Sequence, residues 1–220
     1  MNINYIHLLC IIGIILLTFF TFWLNGRINE LESKHHNVLS DKTLKKLISK
    51  GKLVITNIQE KDIQPASIDI CISNDFLKLS ELHTNIEDED VTIQQNIYIG
   101  KGKPVHYQSQ TIPDNEWFCI KPGEFVLASA KSYLKIPTNI VGRIEGKYSI
   151  GRQGLLIQNT GIIDPGYEGK ITLELFNITK SNIYIKPGQN IAQIMFFYMD
   201  KHAGNPYSIN IENDDFEEDN

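Results

Sequence analysis

Three Pro-Gly pairs punctuate the chain, in Lys121-Pro122-Gly123, Asp164-Pro165-Gly166 and Lys186-Pro187-Gly188. Proline sets φ at about −65° for the second residue of a turn, and glycine tolerates the positive φ of the third. Each pair therefore ends one extended segment and starts another. The intervening runs are short, partly alternating and rich in β-branched and aromatic residues. They include Leu53 to Ile55, Ile68 to Ile72, Val91 to Ile93, Ile97 to Ile99, Phe125 to Ala128, Ile140 to Ile144, Leu155 to Gln158, Ile171 to Phe176, Ile183 to Ile185 and Ile191 to Phe197. Many short strands joined by tight turns make a barrel or a sandwich. One short helix precedes them: Ser40 or Asp41 can cap it, Leu44, Leu47 and Ile48 share one face, and Gly51 stops it. His83 to Asp90 is acidic and reads as an exposed loop.

Charge narrows the partners. The chain has 220 residues and a formal net charge of −5, but the acids crowd the C-terminal end. Glu212, Asp214, Asp215, Glu217, Glu218 and Asp219 make residues 208–220 an acidic, disordered tail. Without them the body is near neutral, which argues against a nucleic-acid polymer as partner. Cys10, Cys71 and Cys119 are widely spaced, so neither a disulfide scaffold nor a zinc cage is expected.

Tyr5 to Leu24 is almost wholly apolar, and twenty helical residues span about 30 Å, the thickness of a bilayer core. Residues 1–26 are therefore expected to be a transmembrane anchor, with residues 27–38 a polar linker. No basic residue precedes the run, while Arg27, Lys34 and several lysines from Lys42 follow it. By the positive-inside rule this predicts a single-pass membrane protein with its body on the cytoplasmic side. Asn177-Ile178-Thr179 is a glycosylation sequon, without meaning on a cytoplasmic body.

Two segments carry candidate chemistry. Gly142 to Gly154 holds Arg143, Lys147, Ser149 and Arg152 among glycines. Glycines let the backbone approach an anion, and these side chains can donate charge-assisted hydrogen bonds to phosphate oxygens. A solvated basic turn would look the same. In Gly161 to Glu174, Thr172 and Glu174 alternate with Ile171, Leu173 and Leu175. A carboxylate on such a strand is either solvent-facing or salt-bridged, or it is a general acid/base held in a pocket.

Together these segments resemble the dCTP deaminase and dUTPase superfamily, and most closely dCTP deaminase. Leu39-Ser40-Asp41 with its helix, and Ile63-Gln64-Pro65-Ala66-Ser67-Ile68-Asp69, are similar to the family's opening. Gly146 to Gly154 is similar to its Gly-Arg-Ser-Ser-x-x-Arg-x-Gly signature, and Ile163 to Glu174 to its Pro-Gly signature. Lys186-Pro187-Gly188-Gln189 with Ile191-Ala192-Gln193 is similar to its last core strands.

The resemblance implies a mostly-β, distorted β-barrel of the dUTPase-like, β-clip kind over residues 39–207, with a short N-terminal helix. It also implies a homotrimer with active sites at subunit interfaces. It makes Glu174 and Arg152 catalytic, and Lys147, Ser149, Asp164, Tyr167 and Gln193 nucleotide-binding. Asp164 and Tyr167 fall where the superfamily holds the deoxyribose. Deamination without zinc follows, and the chain also lacks the His-x-Glu and Pro-Cys-x-x-Cys of zinc deaminases. Mg²⁺ is expected with the nucleotide triphosphate.

The expected reaction is hydrolytic deamination of dCTP to dUTP. Two alternatives stay open. One is a dUTPase, or a bifunctional enzyme, giving dUMP and pyrophosphate; there Asp164 would activate water and Tyr167 would pack on the sugar. The other is a non-catalytic, membrane-tethered trimer. Three departures bear on the choice. Tyr148 replaces a serine, Gln158 to Gly161 is a short base-recognising loop without histidine, and the C-terminal lid after Pro206-Tyr207 is curtailed.

Overall fold

The structure, a computed structural model, describes the backbone of residues 3–32, 38–79, 82–86, 89–93, 105–158 and 161–208, and the side chains of 13–27, 38–79, 105–157 and 161–208. The run around Ile97, the turn at Gly100 to Gly102, loop residues Asn159 and Thr160, and the acidic tail from 209 lie outside the described residues. Two compact units divide the chain, Met1–Asn37 and Val38–Asn220.

The first unit carries helix α1 (Ile3–Glu32). Among the described residues, no helix is long and apolar enough to cross a membrane. The expected transmembrane anchor, and with it the single-pass membrane localisation, is corrected accordingly.

The second unit carries α2 (Asp41–Ser49), with the extended Ser40 at its N-cap position but making no side-chain capping bond, and with Leu44 and Leu47 buried. Gly51 follows it at φ 64°, the conformation that glycine adopts without strain. Fourteen strands follow among the described residues. They are β1 (Val54–Ile55), β2 (Ile63–Gln64), β3 (Ser67–Leu79), β4 (Leu82–Ile86), β5 (Glu89–Ile93), β6 (Tyr107–Thr111), β7 (Phe118–Ile120), β8 (Phe125–Lys135) and β9 (Ile140–Gly146), then, after helical turn α3 (Tyr148–Gly151), β10 (Leu155–Gln158), β11 (Ile162–Ile163), β12 (Glu168–Asn177), β13 (Ile183–Ile185) and β14 (Asn190–Tyr198).

Ten of them form one antiparallel sheet in the order β10-β12-β8-β3-β14-β9-β11, with β1 on β8 and β2 and β6 on β3. Strand β3 joins the two halves. Its start pairs with β14 and its end with β8 and β6. Register shifts in β3–β14, β3–β8 and β12–β8 bend the sheet, because a bulge raises local twist. The mostly-β, distorted barrel that was expected is thus present as a curled half-barrel whose path of strands ends at β10 and β11. The acidic stretch expected as a loop is instead largely the β4–β5 hairpin, with Thr84 opposite Val91 and Leu82 opposite Ile93. Its β-branched residues prevail over its charges.

Period-two alternation builds the core. Ile68, Ile70 and Ile72 of β3, Val126, Ala128 and Ala130 of β8, Leu173 and Leu175 of β12, and Ile194 and Phe196 of β14 all point inward and are buried. Phe76 and Phe118 stack with ring centres 3.9 Å apart.

Asn177 ends β12 fully buried. Its Nδ2 donates to the carbonyls of Ile120 (2.9 Å) and Ser181 (2.8 Å), and its Oδ1 accepts from Thr179 N–H and Oγ1. The sequon asparagine is thus a structural knot, and the nitrogen a glycan would need is already committed. Asn177→Ala strands two carbonyls and two donors at this corner. It is expected to lower stability by about 2 kcal/mol, read as a lower urea midpoint at unchanged slope.

Candidate active site

The alternation that buries Ile68, Ile194 and Ile144 turns their neighbours to the other face of the sheet. Asp69, Gln193 and Glu145 lie in one cross-strand row there. Lys147 follows β9, anchored by its N–H to the Ile191 carbonyl at 2.8 Å. Its ammonium pairs with Asp69 Oδ2. Gln64 Nε2 reaches the same oxygen at 3.4 Å, and Ser67 Oγ donates to Gln193 Oε1 at 3.4 Å. Asp69 is 5% exposed, and its Oδ1 has no partner among the described residues. A carboxylate taken out of water needs a counter-charge, and Lys147 supplies it while keeping a quarter of its side chain open. Lys147 and Gln193, two of the predicted nucleotide-binding residues, are therefore brought together.

Beyond Lys147 the chain turns through α3. The Lys147 carbonyl accepts from Ile150 and Gly151, which leaves Ser149 and Arg152 exposed. The Arg152 guanidinium stands 5.4 Å from the centre of the Tyr148 ring, and Tyr148 is 77% exposed. Gly154 (φ 86°) closes this loop against the Asn177 corner; a Cβ there would lie 2.1 Å from Thr179 Cγ2. The basic loop is thus pinned at both ends, to β14 by Lys147 and to the end of β12 by Gly154.

Glu174 sits mid-β12, half-buried, on the face opposite the buried Leu173 and Leu175. Its cross-strand neighbours are Leu127 of β8 and Gln158 of β10. The Tyr107 phenol, two strands beyond β8, is pushed up by burial and then by the Glu174 carboxylate. The Asp164–Tyr167 turn closes with Tyr167 N–H on the Asp164 carbonyl at 3.1 Å, with Gly166 at φ 90°. Asp164 is exposed. Tyr167 Oη donates to the Lys170 carbonyl at 2.6 Å, and its ring lies 5.4 Å from that of Tyr207. Tyr207 N–H in turn donates to the Pro165 carbonyl at 2.8 Å, so the C-terminal stretch is seated on this turn.

The predicted residues therefore form separate groups within one chain. Lys147 and Gln193 share one face, Ser149 and Arg152 line the exposed loop, and Asp164, Tyr167 and Glu174 belong to β12 and its turn. No described hydrogen bond or ion pair joins Glu174 to Lys147, Ser149 or Arg152. Sequence reasoning passed over Asp69 and Tyr107. Asp69 had a signal, a lone acid within an apolar strand as at Glu174; Tyr107 had none.

Residues 38–199 match the family described as dCTP deaminase-like. The chain belongs to that family. Proteins named "dCTP deaminase, dUMP-forming" are its relatives. The one from Persephonella marina is 37% identical over 171 residues, 77% of this chain and 88% of its own length. The one from Methanobrevibacter smithii is 36% identical over 175 residues, 77% of this chain and 84% of its own. A crystal structure of 2′-deoxycytidine 5′-triphosphate deaminase from Agrobacterium tumefaciens shares the fold, with a TM-score of 0.54 and 18% identity over 74% of this chain and 48% of that one. The family's fold is therefore the half-barrel described above. The relatives' names also correct the expected reaction: they are dUMP-forming, so deamination that stops at dUTP is not the outcome to expect.

Proposed function

We propose that the chain converts dCTP to dUMP, releasing ammonia and pyrophosphate. The observation that carries this is its similarity, at 37% identity over 77% of the chain, to a dUMP-forming dCTP deaminase. In the first step water adds to C4 of the cytosine. The Glu174 carboxylate takes the water's proton and delivers it to the amino group, which leaves as ammonia, while the remaining hydroxyl proton ends on N3 and C4 becomes a carbonyl. In the second step a further water attacks the α-phosphorus, with Asp164 as its base, and pyrophosphate leaves.

Lys147, Ser149 and Gln193 hold the phosphate chain, Arg152 steadies charge beside the base, and Tyr167 packs on the deoxyribose. The half-buried seat of Glu174 supports its role. The pairing of Lys147 with Asp69 supports a preset cation for phosphate. A homotrimer would complete each site, with Glu174 of one subunit facing the Lys147 group of another. The separation of these groups within one chain supports that arrangement.

Mg²⁺ fits as a companion of the triphosphate. No three metal-ligating side chains cluster among the described residues, and Asp69 offers one unpartnered oxygen. Such an ion takes most of its ligands from phosphate and water and neutralises the phosphate chain.

The test is to incubate the full chain with dCTP and, separately, dUTP, each with Mg²⁺, and to assay ammonia, pyrophosphate and dUMP. Equal amounts of ammonia, pyrophosphate and dUMP from dCTP are expected. Release of neither ammonia nor pyrophosphate from either nucleotide would overturn the proposal.

A further inference from the structure

A cavity of about 430 Å³ opens on the face of β3 that carries Asp69, but one pleat further along. Cys71 forms part of its wall, and Asn57, Lys61, Asp62, Lys131 and Asn190 surround it. Its volume lies in the range of small-molecule sites.

The walls are preset. Asn57 adopts φ 55°, a conformation that costs a non-glycine residue energy, and its Nδ2 ties the loop to the Lys131 carbonyl at 2.9 Å. Asp62 is buried, and each of its oxygens already accepts a hydrogen bond. Oδ2 accepts the Gln59 N–H at 2.7 Å, and Oδ1 accepts from Asn190 Nδ2 at 3.0 Å. What remains for an anionic ligand is Lys61 and Lys131, which line the cavity and have no ion pair among the described residues. Lys131 also bears on the Cys71 thiol. Burial pushes that thiol up and the Lys131 charge opposes it, and Lys131 itself lines the cavity.

We propose that this cavity is a second anion site, separate from the Lys147–Asp69 group, that takes a small phosphate-bearing ligand between Lys61 and Lys131. The phosphate is the common chemistry, and free pyrophosphate or a nucleoside monophosphate could bring it. The site does not depend on the proposed reaction. Because Asp69 and Cys71 are two residues apart on one strand, occupancy here also bears on the strand that holds Lys147.

The experiment is equilibrium dialysis of the full chain against labelled pyrophosphate and, in parallel, labelled dUMP. Peptide mapping of N-ethylmaleimide modification at Cys71, with and without each probe, locates the bound ligand. We expect saturating probe to slow modification of Cys71 by about tenfold while Cys119 is unaffected. Lys61→Glu/Lys131→Glu should remove that protection and one class of bound probe, with Cys119 reactivity unchanged as the sign of an intact fold. Lys147→Met should leave both in place. Protection by pyrophosphate alone assigns the site to free polyphosphate, by dUMP alone to nucleotides, and by both to phosphate at large. Binding confined to one class that the Lys61/Lys131 pair does not affect, or no binding of either probe, would overturn the proposal. Should Cys71 prove unreactive in the native protein, the dialysis of the three proteins decides.

Discussion

Glu174→Gln is expected to reduce ammonia release from dCTP by about a thousandfold or more, within the range that a positioned acid/base contributes, while nucleotide binding changes little. The argument rests on where β12 places the side chain. Leu173 and Leu175 are fully buried on one face, so Glu174 is held on the other by a strand that cannot slip without exposing them. Glutamine keeps size and hydrogen-bonding capacity but cannot accept the water's proton. The loss should therefore appear in kcat, with KM nearly constant. Because Glu174 and Lys147 have no described link within a chain, co-expressing Glu174→Gln with Lys147→Met subunits provides a second readout. Mixed trimers should regain about a quarter of wild-type activity, the statistical share of sites receiving both intact residues from different subunits. No recovery would mean that each site is built within one subunit.

What could be read from sequence was what local chemistry determines. The Pro-Gly turns, the α2 helix with its Gly51 stop and the alternation in β3, β8 and β12 all lie where the residues place them, because turn φ and strand period are local properties. Openness of the sheet was not legible. It depends on bulges between Lys170 and Thr172 and between Ile72 and Phe76, whose positions are set by partners distant in sequence. Val91 to Ile93 of β5 was read as a strand, but β4 and the start of β5 were missed because their acids mimic loop composition. At the site, Lys147 was found through its glycine-rich surroundings, but its partner Asp69 is 78 residues away, and only strand pairing reveals it. The Glu174 charge acts on the Tyr107 phenol across two intervening strands, a relation with no trace in spacing. Tyr148 stood out as a departure from the family signature. The structure gives its ring a partner, the Arg152 guanidinium, so the substitution accompanies a stacked pair on the exposed loop.

The Lys147–Asp69 pair allows a structural and a functional role to be measured apart. Lys147→Met removes the only counter-charge described for a carboxylate that is 5% exposed. Breaking a buried pair from one side costs about 3–5 kcal/mol. Lys147 keeps a quarter of its side chain open, so water can partly replace it, and the expected loss is about 3 kcal/mol at the low end of that range. Asp69→Asn in the same chain removes the stranded charge, and the double variant Asp69→Asn/Lys147→Met should recover most of the lost stability in urea unfolding. Affinity should behave differently. The double variant still lacks the cation aimed at the phosphate chain, and its nucleotide Kd should stay at least about tenfold weaker, the equivalent of about 1.4 kcal/mol. Lys147→Arg should restore both quantities, since an arginine carries the same charge with a fork suited to phosphate. If the double variant regained affinity together with stability, Lys147 would be a structural partner of Asp69 alone, and the phosphate contact would have to come from Arg152 and Ser149.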